Sequence, residues 1–212
     1  DATSSSETVL ILCGDTPALD PTEISALLTD HDAGQRELTV ASFYADNPTG
    51  YGRIVRDEDD RVLRITEERD ATDQERLIDE VNAGIYVVRR ELLGDAIANL
   101  TPQNAQGELY LTDIVASLAS AGRSVDAYVL DDPERAMGVN TRAQLVEAEW
   151  LLGSKTIADL LDAGVVVQDP TSVRIEHGVS VGPDTVLASG VQLLGKTTVG
   201  AGCHIETGCI LR

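Results

Sequence analysis

Residues 173–212 read VRIEHGVSVGPDTVLASGVQLLGKTTVGAGCHIETGCILR, and one position in every six is aliphatic: Ile175, Val181, Leu187, Leu193, Val199, Ile205 and Leu211. Two places before each stands a small or β-branched residue, namely Val173, Val179, Thr185, Val191, Thr197, Cys203 and Cys209. Glycines fall between them at 178, 182, 190, 195, 200, 202 and 208. A period of six is neither the 3.6 of a helix nor the alternation of a half-buried strand. It is the period of a hexapeptide parallel β-helix, in which each short strand forms one side of a triangular coil. Three hexads close a coil, so residues eighteen apart stack. Ile175, Leu193 and Leu211 then share one internal column, Val181 and Val199 a second, Leu187 and Ile205 a third. Every column is aliphatic, as a dry prism core requires. His177 and His204 take outward places, and Cys203 and Cys209 lie on different sides, as small core residues rather than a disulfide.

Upstream, Thr141-Arg142-Ala143-Gln144 has the form of a capping box, and Gly153 suits the end of that helix. A second helix from about Ser154 to Gly164 completes a helical connector over 141–164. Before it, short β-rich runs alternate with helical ones. Glu7 to Cys13 is an apolar run of strand length ended by Gly14-Asp15, and Asp20-Pro21-Thr22-Glu23 opens a helix. Glu37–Tyr44, Gly52–Arg56, Arg61–Thr66, Glu80–Val88 and Val125–Leu130 read as strands, with Asp57-Glu58-Asp59-Asp60 as an acidic turn. Arg90–Leu100 and Leu111–Ala121 read as amphipathic helices. Such alternation predicts an α/β sheet covered by helices over 1–140, with the hexads occupying 165–212.

The 212 residues carry 36 acidic and 16 basic side chains, a formal charge of −20. That sign argues against a nucleic-acid partner. No apolar run approaches the ~20 residues that span a bilayer. Three cysteines without metal-type spacing suit a reduced, cytoplasmic protein. The acidity has two readings: a merely acidic soluble enzyme, or a surface suited to high salt, where screening relieves self-repulsion. His31 is expected to end a surface helix, and Trp150 and Met137 to pack.

Gly14-Asp15 follows an apolar strand, where open α/β sheets bind ligands, and a carboxylate there can hold a hard cation. Gly50-Tyr51-Gly52-Arg53 can bring backbone close to a ligand or simply turn the chain. Asn82, inside a strand, and Asn140, after Gly138-Val139, are polar residues in apolar settings, each a structural bridge or a ligand contact.

Taken together, the fragments resemble one family. They are Leu12-Cys13-Gly14-Asp15-Thr16-Pro17, Asn47-Pro48-Thr49-Gly50-Tyr51-Gly52-Arg53-Ile54, Glu67 with Asp70-Ala71-Thr72, and Glu80-Val81-Asn82-Ala83-Gly84-Ile85-Tyr86. Asn104 to Asp113 and Gly138-Val139-Asn140 follow in order. The set resembles the bifunctional N-acetylglucosamine-1-phosphate uridyltransferase/glucosamine-1-phosphate acetyltransferases along nearly the whole chain. The resemblance implies a Rossmann-like nucleotidyltransferase domain followed by a left-handed parallel β-helix. It implies Mg²⁺ held by Asp15 and Asn140, with Asp15 essential to catalysis. It places Cys13 and Gly14 in the nucleotide-sugar loop, Gly52, Glu67 and Asn82 on the sugar and its phosphate, and Tyr110 and Thr112 in the surrounding wall.

The implied substrates are UTP and N-acetylglucosamine 1-phosphate, and the implied complete assembly is a homotrimer. The family's glycine-rich phosphate loop, base-reading residues and acetyl-transfer coils have no counterpart in these residues. The chain is therefore expected to be an internal piece, incomplete at both ends and inactive alone. Departures from the family pattern are Cys13, where Tyr is more frequent, Glu68-Arg69 in place of a more basic pair, and Thr141, where Asn is frequent. Two alternatives fit the residues less fully: a related sugar-phosphate nucleotidyltransferase with another base or sugar, and a non-catalytic subunit of the same fold.

Overall fold

The computed structural model describes residues 7–212, which divide into two compact units, the first ending at Gly138 and the second beginning at Val139.

In the first unit a six-stranded sheet is built from β1 (Thr8–Ile11), β2 (Leu38–Tyr44), β3 (Arg53–Arg56), β4 (Val62–Thr66), β5 (Glu80–Arg89) and β6 (Val125–Val129). Three helices accompany it: α1 (Pro21–Ala33), α2 (Arg90–Ala98) and α3 (Asp113–Ser120). The strand order is β4-β3-β5-β2-β6, with β1 pairing β5, and the sheet is mixed: β2 is antiparallel to β5 and parallel to β6. The strand expected over Glu7–Cys13 stops at Ile11, leaving Leu12 to Asp15 as a turn off its carboxyl end.

Alternation along β5 sorts its side chains onto two cores. Val81, Ala83, Ile85 and Val87 pack with Leu27 of α1, Ala41 and Phe43. Tyr86 and Val88 pack with Ile114, Val115 and Leu118 of α3. The central strands are therefore buried on both faces, which is why β2 is an unbroken run of buried residues from Leu38 to Phe43 rather than an alternating one.

Two charged groups are buried with partners, as burial demands. Glu80 accepts both Arg56 Nε and Nη2 at 2.8 Å and Ser42 Oγ at 2.7 Å, tying β5 to β3 and β2. His31, expected at the surface, is 2% exposed, with its Nδ1 2.8 Å from Thr39 Oγ1; burial pushes the imidazole pKa down. The short polar Thr39 on a buried strand supplies the partner that lets the ring turn inward.

The second unit opens with α4, a single helix over Arg142–Asp162. Its capping box is present: Gln144 N donates to Thr141 Oγ1 at 3.2 Å, and Thr141 N donates to Gln144 Oε1 at 2.9 Å. The expected break at Gly153 does not occur. An interior glycine costs about 1 kcal/mol of helix propensity, and Ala148 and Ile157, buried on either side of it, hold the helix through. Trp150 stands 67% exposed on this helix instead of packing.

Eight two-residue strands follow: β7 (Val166–Val167), β8 (Arg174–Ile175), β9 (Ser180–Val181), β10 (Val186–Leu187), β11 (Gln192–Leu193), β12 (Thr198–Val199), β13 (His204–Ile205) and β14 (Ile210–Leu211). They form three parallel stacks, β8-β11-β14, β9-β12 and β7-β10-β13. The registers place Leu193 against Ile175 and Leu211, Val199 against Val181, and Ile205 against Leu187, each pair eighteen apart. Val167 also stacks on Leu187, twenty residues on. Two extra residues enter at the turn where Thr171 N donates to Asp169 Oδ1 and Ser172 N to Asp169 O, which hides this layer from a strict hexad count.

Leu187, Val191 and Leu193 are wholly buried. Thr185 bridges layers, its Oγ1 donating to Gly200 O at 2.7 Å and accepting Cys203 N at 3.1 Å. At Gly182 a Cβ would meet Ala201 N at 2.5 Å, so only glycine lets the next layer lie this close. Cys13, Cys203 and Cys209 are all free thiols.

Candidate active site

One side of β5 is paired with β2 along most of its length; the other side is shared by two strands with a gap between them. β1 pairs Ile11 to Thr8 with Tyr86 to Arg89, while β3 pairs Arg53 with Val81, and Asn82 N donates to Gly52 O at 2.8 Å. Ala83, Gly84 and Ile85 have no ladder partner on that side. Both edge strands run antiparallel to β5, so the carboxyl end of β1 faces the amino end of β3 across the gap. A split of this kind at a strand's carboxyl end makes the crevice in which open α/β sheets hold ligands.

On the β2 side the ladder also slips at the gap. Val40 faces Tyr86 and Ser42 faces Asn82, two residues against four, so β5 bulges over Ala83–Ile85. Gly84 sits at φ +73° at its centre, where a Cβ would lie 2.7 Å from Cys13 Sγ. Its N–H donates to Asn82 Oδ1 at 2.9 Å.

Cys13, Gly14 and Asp15 leave β1 into this opening and are exposed. Thr16 Oγ1 donates to Cys13 O at 3.2 Å and fixes the turn. Among the described residues the Asp15 carboxylate has no hydrogen bond or ion pair. Its charge adds to burial in pushing up the Cys13 thiol and the Tyr51 phenol. Leu12 and Cys13 also border an apolar recess of about 330 Å³ with Thr16, Leu19, Pro21 and Ile24.

On the β3 lip, a Cβ on Gly52 would lie 2.8 Å from Ile65 Cγ2 and 3.5 Å from both oxygens of Glu67. Gly52 thus lets the Glu67 carboxylate lie against the backbone. Thr112 Oγ1 donates to Glu67 Oε1 at 3.0 Å. Burial raises the Glu67 pKa, the Thr112 bond opposes that, and the Asp113 and Asp70 charges add to the rise. Asn82 Nδ2 donates to the Tyr86 hydroxyl at 2.8 Å, so with Gly84 both ends of its carboxamide are held.

Gly52, Glu67, Asn82 and Thr112 are therefore brought together, with Cys13 and Asp15 at the opposite lip. Tyr110 engages its own loop: its hydroxyl accepts Gln106 Nε2 at 2.7 Å. Asn140 belongs to the second unit, where its N–H donates to the Gln144 carboxamide at 2.9 Å ahead of α4. The Asp15 carboxylate is an oxygen donor of the kind a hard cation takes. No group of three or more His, Cys, Asp or Glu gathers into a metal cage among the described residues.

Two supports escape a reading of the sequence. Arg53 is 1% exposed; it donates through Nη2 to Glu68 Oε2 at 2.7 Å and through Nη1 to Tyr51 O. Gly50 N donates to the same Glu68 oxygen at 3.2 Å, so the buried Arg53 and the partly exposed Glu68 together fasten the loop that carries Tyr51 and Gly52. The Arg53 and Gly50 bonds hold the Glu68 pKa below the usual carboxylate range. A charged residue between Gly52 and Ile54 in a buried strand was the visible sign. Tyr86 is the other, marked only by lying four residues after Asn82 with a glycine between.

The nucleotidyl transferase family model matches residues 1–151. The "Bifunctional protein GlmU" of Sorangium cellulosum (strain So ce56) is 49% identical over 212 residues, 100% of this chain and 44% of that protein. The protein of the same name from Geobacter metallireducens is 45% identical over 204 residues (96% and 43%), and that from Brevibacillus brevis 46% over 198 residues (93% and 43%). The chain thus spans less than half the length of the curated relatives it matches. With the family match covering the split sheet and every site residue of the first unit, the chain belongs to the nucleotidyl transferase family.

Proposed function

We propose that this chain supplies the sugar-phosphate side of a cytoplasmic uridylyltransferase that makes UDP-N-acetylglucosamine and pyrophosphate from UTP and N-acetylglucosamine 1-phosphate. The observation that carries it is the split at β5, which sets the unengaged Asp15 carboxylate opposite Gly52, Glu67 and Asn82. Near identity of half over the chain with proteins named for two functions supports the same reading.

In that reaction a phosphate oxygen of the sugar phosphate attacks the α-phosphorus of UTP. The bond from that phosphorus to the bridging oxygen breaks, and pyrophosphate leaves with the electron pair. No protein nucleophile is required, so the residues act by holding and orienting. Glu67 accepts a sugar hydroxyl, and Thr112 keeps its carboxylate aimed. Asn82 donates an amide N–H, and Gly52 lets the sugar approach the backbone. Asp15 would hold Mg²⁺, which would neutralise charge on the phosphoryl oxygens. The unengaged Asp15 carboxylate at the carboxyl end of β1, an oxygen donor of the kind a hard cation takes, is what supports that metal.

The stacked two-residue strands are, on this proposal, the first coils of a left-handed parallel β-helix. In the complete protein that helix would carry acetyl transfer to glucosamine 1-phosphate and form a homotrimer. The eighteen-residue registers favour it, because they are the stacking distance of three-hexad coils.

The test is product formation by the complete protein with Mg²⁺, comparing UTP with dTTP and N-acetylglucosamine 1-phosphate with glucose 1-phosphate. UTP and the N-acetylated sugar should be preferred at least tenfold in kcat/KM. Asp15→Ala should lower turnover by several orders of magnitude with its melting temperature unchanged. Preference for another base or sugar, or a near-normal rate for Asp15→Ala, would overturn the proposal.

A further inference from the structure

Tyr86 has no part in the reaction as described, yet its placement is unusual. Its ring is 2% exposed and lies in the apolar cluster with Val88, Ile114 and Val115. Its oxygen accepts Asn82 Nδ2 at 2.8 Å, and its own hydroxyl proton meets no acceptor among the described residues. Buried phenols ordinarily satisfy that proton.

In a regular strand, residues four apart are about 13 Å apart along the chain and their side chains do not meet. The bulge over Ala83–Ile85 removes that separation, and the 2.8 Å bond from Asn82 Nδ2 to the Tyr86 oxygen spans what is left. Asn82 has given its Oδ1 to Gly84 N–H and one amide hydrogen to Tyr86. One amide N–H of Asn82 and the O–H of Tyr86 remain, a pair of adjacent donors. Glu67 lies against Gly52, whose carbonyl accepts Asn82 N–H at 2.8 Å, so an acceptor carboxylate stands near the same pair.

We propose that Tyr86 is a positioning residue for sugar-phosphate recognition: its hydroxyl fixes the Asn82 carboxamide and offers the remaining O–H to an acceptor oxygen of that ligand. The inference rests on the reading that Asn82 contacts the sugar phosphate. The ligand class it selects has an acceptor oxygen beside a hydroxyl donor, the acceptor for the Asn82–Tyr86 pair and the hydroxyl for Glu67.

Tyr86→Phe removes the hydroxyl and keeps the ring in its core. In the complete protein with Mg²⁺, kinetics are measured while N-acetylglucosamine 1-phosphate and UTP are varied in turn. Melting temperature is recorded, and Asn82→Ala is run alongside. The expected result is a rise of about three- to tenfold in KM for the sugar phosphate, the effect of one hydrogen bond, with the UTP KM and melting temperature unchanged. An unchanged sugar-phosphate KM in Tyr86→Phe, while Asn82→Ala raises it, would overturn the inference and leave the functional reading standing. A joint rise of both KM values with a fall in melting temperature would make Tyr86 structural and also overturn it. If Asn82→Ala itself leaves the sugar-phosphate KM unchanged, the functional reading falls and the inference with it.

Discussion

Replacing Gly84 with alanine perturbs the crevice at the point where the sheet divides. Two costs follow from its surroundings. At φ +73° an L-residue loses about 1–2 kcal/mol relative to glycine. The new Cβ would also lie 2.7 Å from Cys13 Sγ and 3.5 Å from Cys13 Cβ. The sulfur is the end of a short, exposed side chain and can rotate away, which costs about 0.5–1.5 kcal/mol rather than a backbone shift. The expected sum is about 1.5–3.5 kcal/mol. A 150–250-residue protein loses about 2–4 °C of melting temperature per kcal/mol, so Gly84→Ala should lower the transition of the first unit by roughly 3–14 °C.

The double variant separates the two costs. Cys13→Ala removes the sulfur, so Gly84→Ala introduced on that background should cost only the conformational part, about 1–2 kcal/mol, leaving a coupling of about 0.5–1.5 kcal/mol. Scanning calorimetry of the four proteins gives all the terms. A single-variant loss below about 0.5 kcal/mol would refute the left-handed conformation as the source of strain. Strict additivity with Cys13→Ala would refute the contact across the gap.

Further outcomes follow from charge. Burial raises the Glu67 pKa, so its ionised form costs stability at neutral pH; the folded state gains only below the usual carboxylate value and loses as pH rises through the raised one. Glu67→Gln should therefore melt higher than the parent near pH 7, with the gain vanishing toward pH 4, while product formation falls; a lower melting temperature at pH 7 would contradict this. Glu75 behaves oppositely, its pKa held at about 2 by Thr72 first, with Arg64 and Thr66 adding. Its stabilisation is present above the ordinary carboxylate range and lost as pH falls toward about 2, so Glu75→Gln should melt lower at pH 7 and match the parent near pH 2. With a formal charge of −20, the melting temperature should rise as KCl goes from millimolar to molar concentrations; a flat or falling curve would show that self-repulsion is not a significant term.

The parts of the fold legible from sequence are those in which side-chain period equals structural period. The series from Ile175 to Leu211 admits one stacking, and the registers at eighteen residues follow it, whereas Val167 lies outside because the Asp169 turn adds two residues. Capping at Thr141 was visible because it is local chemistry. Continuity of the helix past Gly153 was not, since it depends on what Ala148 and Ile157 are buried against. Trp150 misled for a similar reason: aromatic content says nothing about which face a helix buries.

In the site, Gly14-Asp15 and Asn82 stood out as polar breaks in apolar runs. The crevice itself was not legible. It arises from two strands sharing one edge of β5 and from a four-against-two slip between Tyr86 and Asn82, and neither register is written in local sequence. Arg53 with Glu68, and Asn82 with Tyr86, meet only through that pairing.

The most direct measurement is a crystal structure of the complete protein with UDP-N-acetylglucosamine and Mg²⁺. The account predicts the sugar in the gap between the end of β1 and the start of β3, with Glu67 and Asn82 hydrogen-bonded to it, Gly52 against it, and the metal on Asp15. A sugar bound elsewhere with the gap closed over Ala83–Ile85, or a metal that does not touch Asp15, would contradict it.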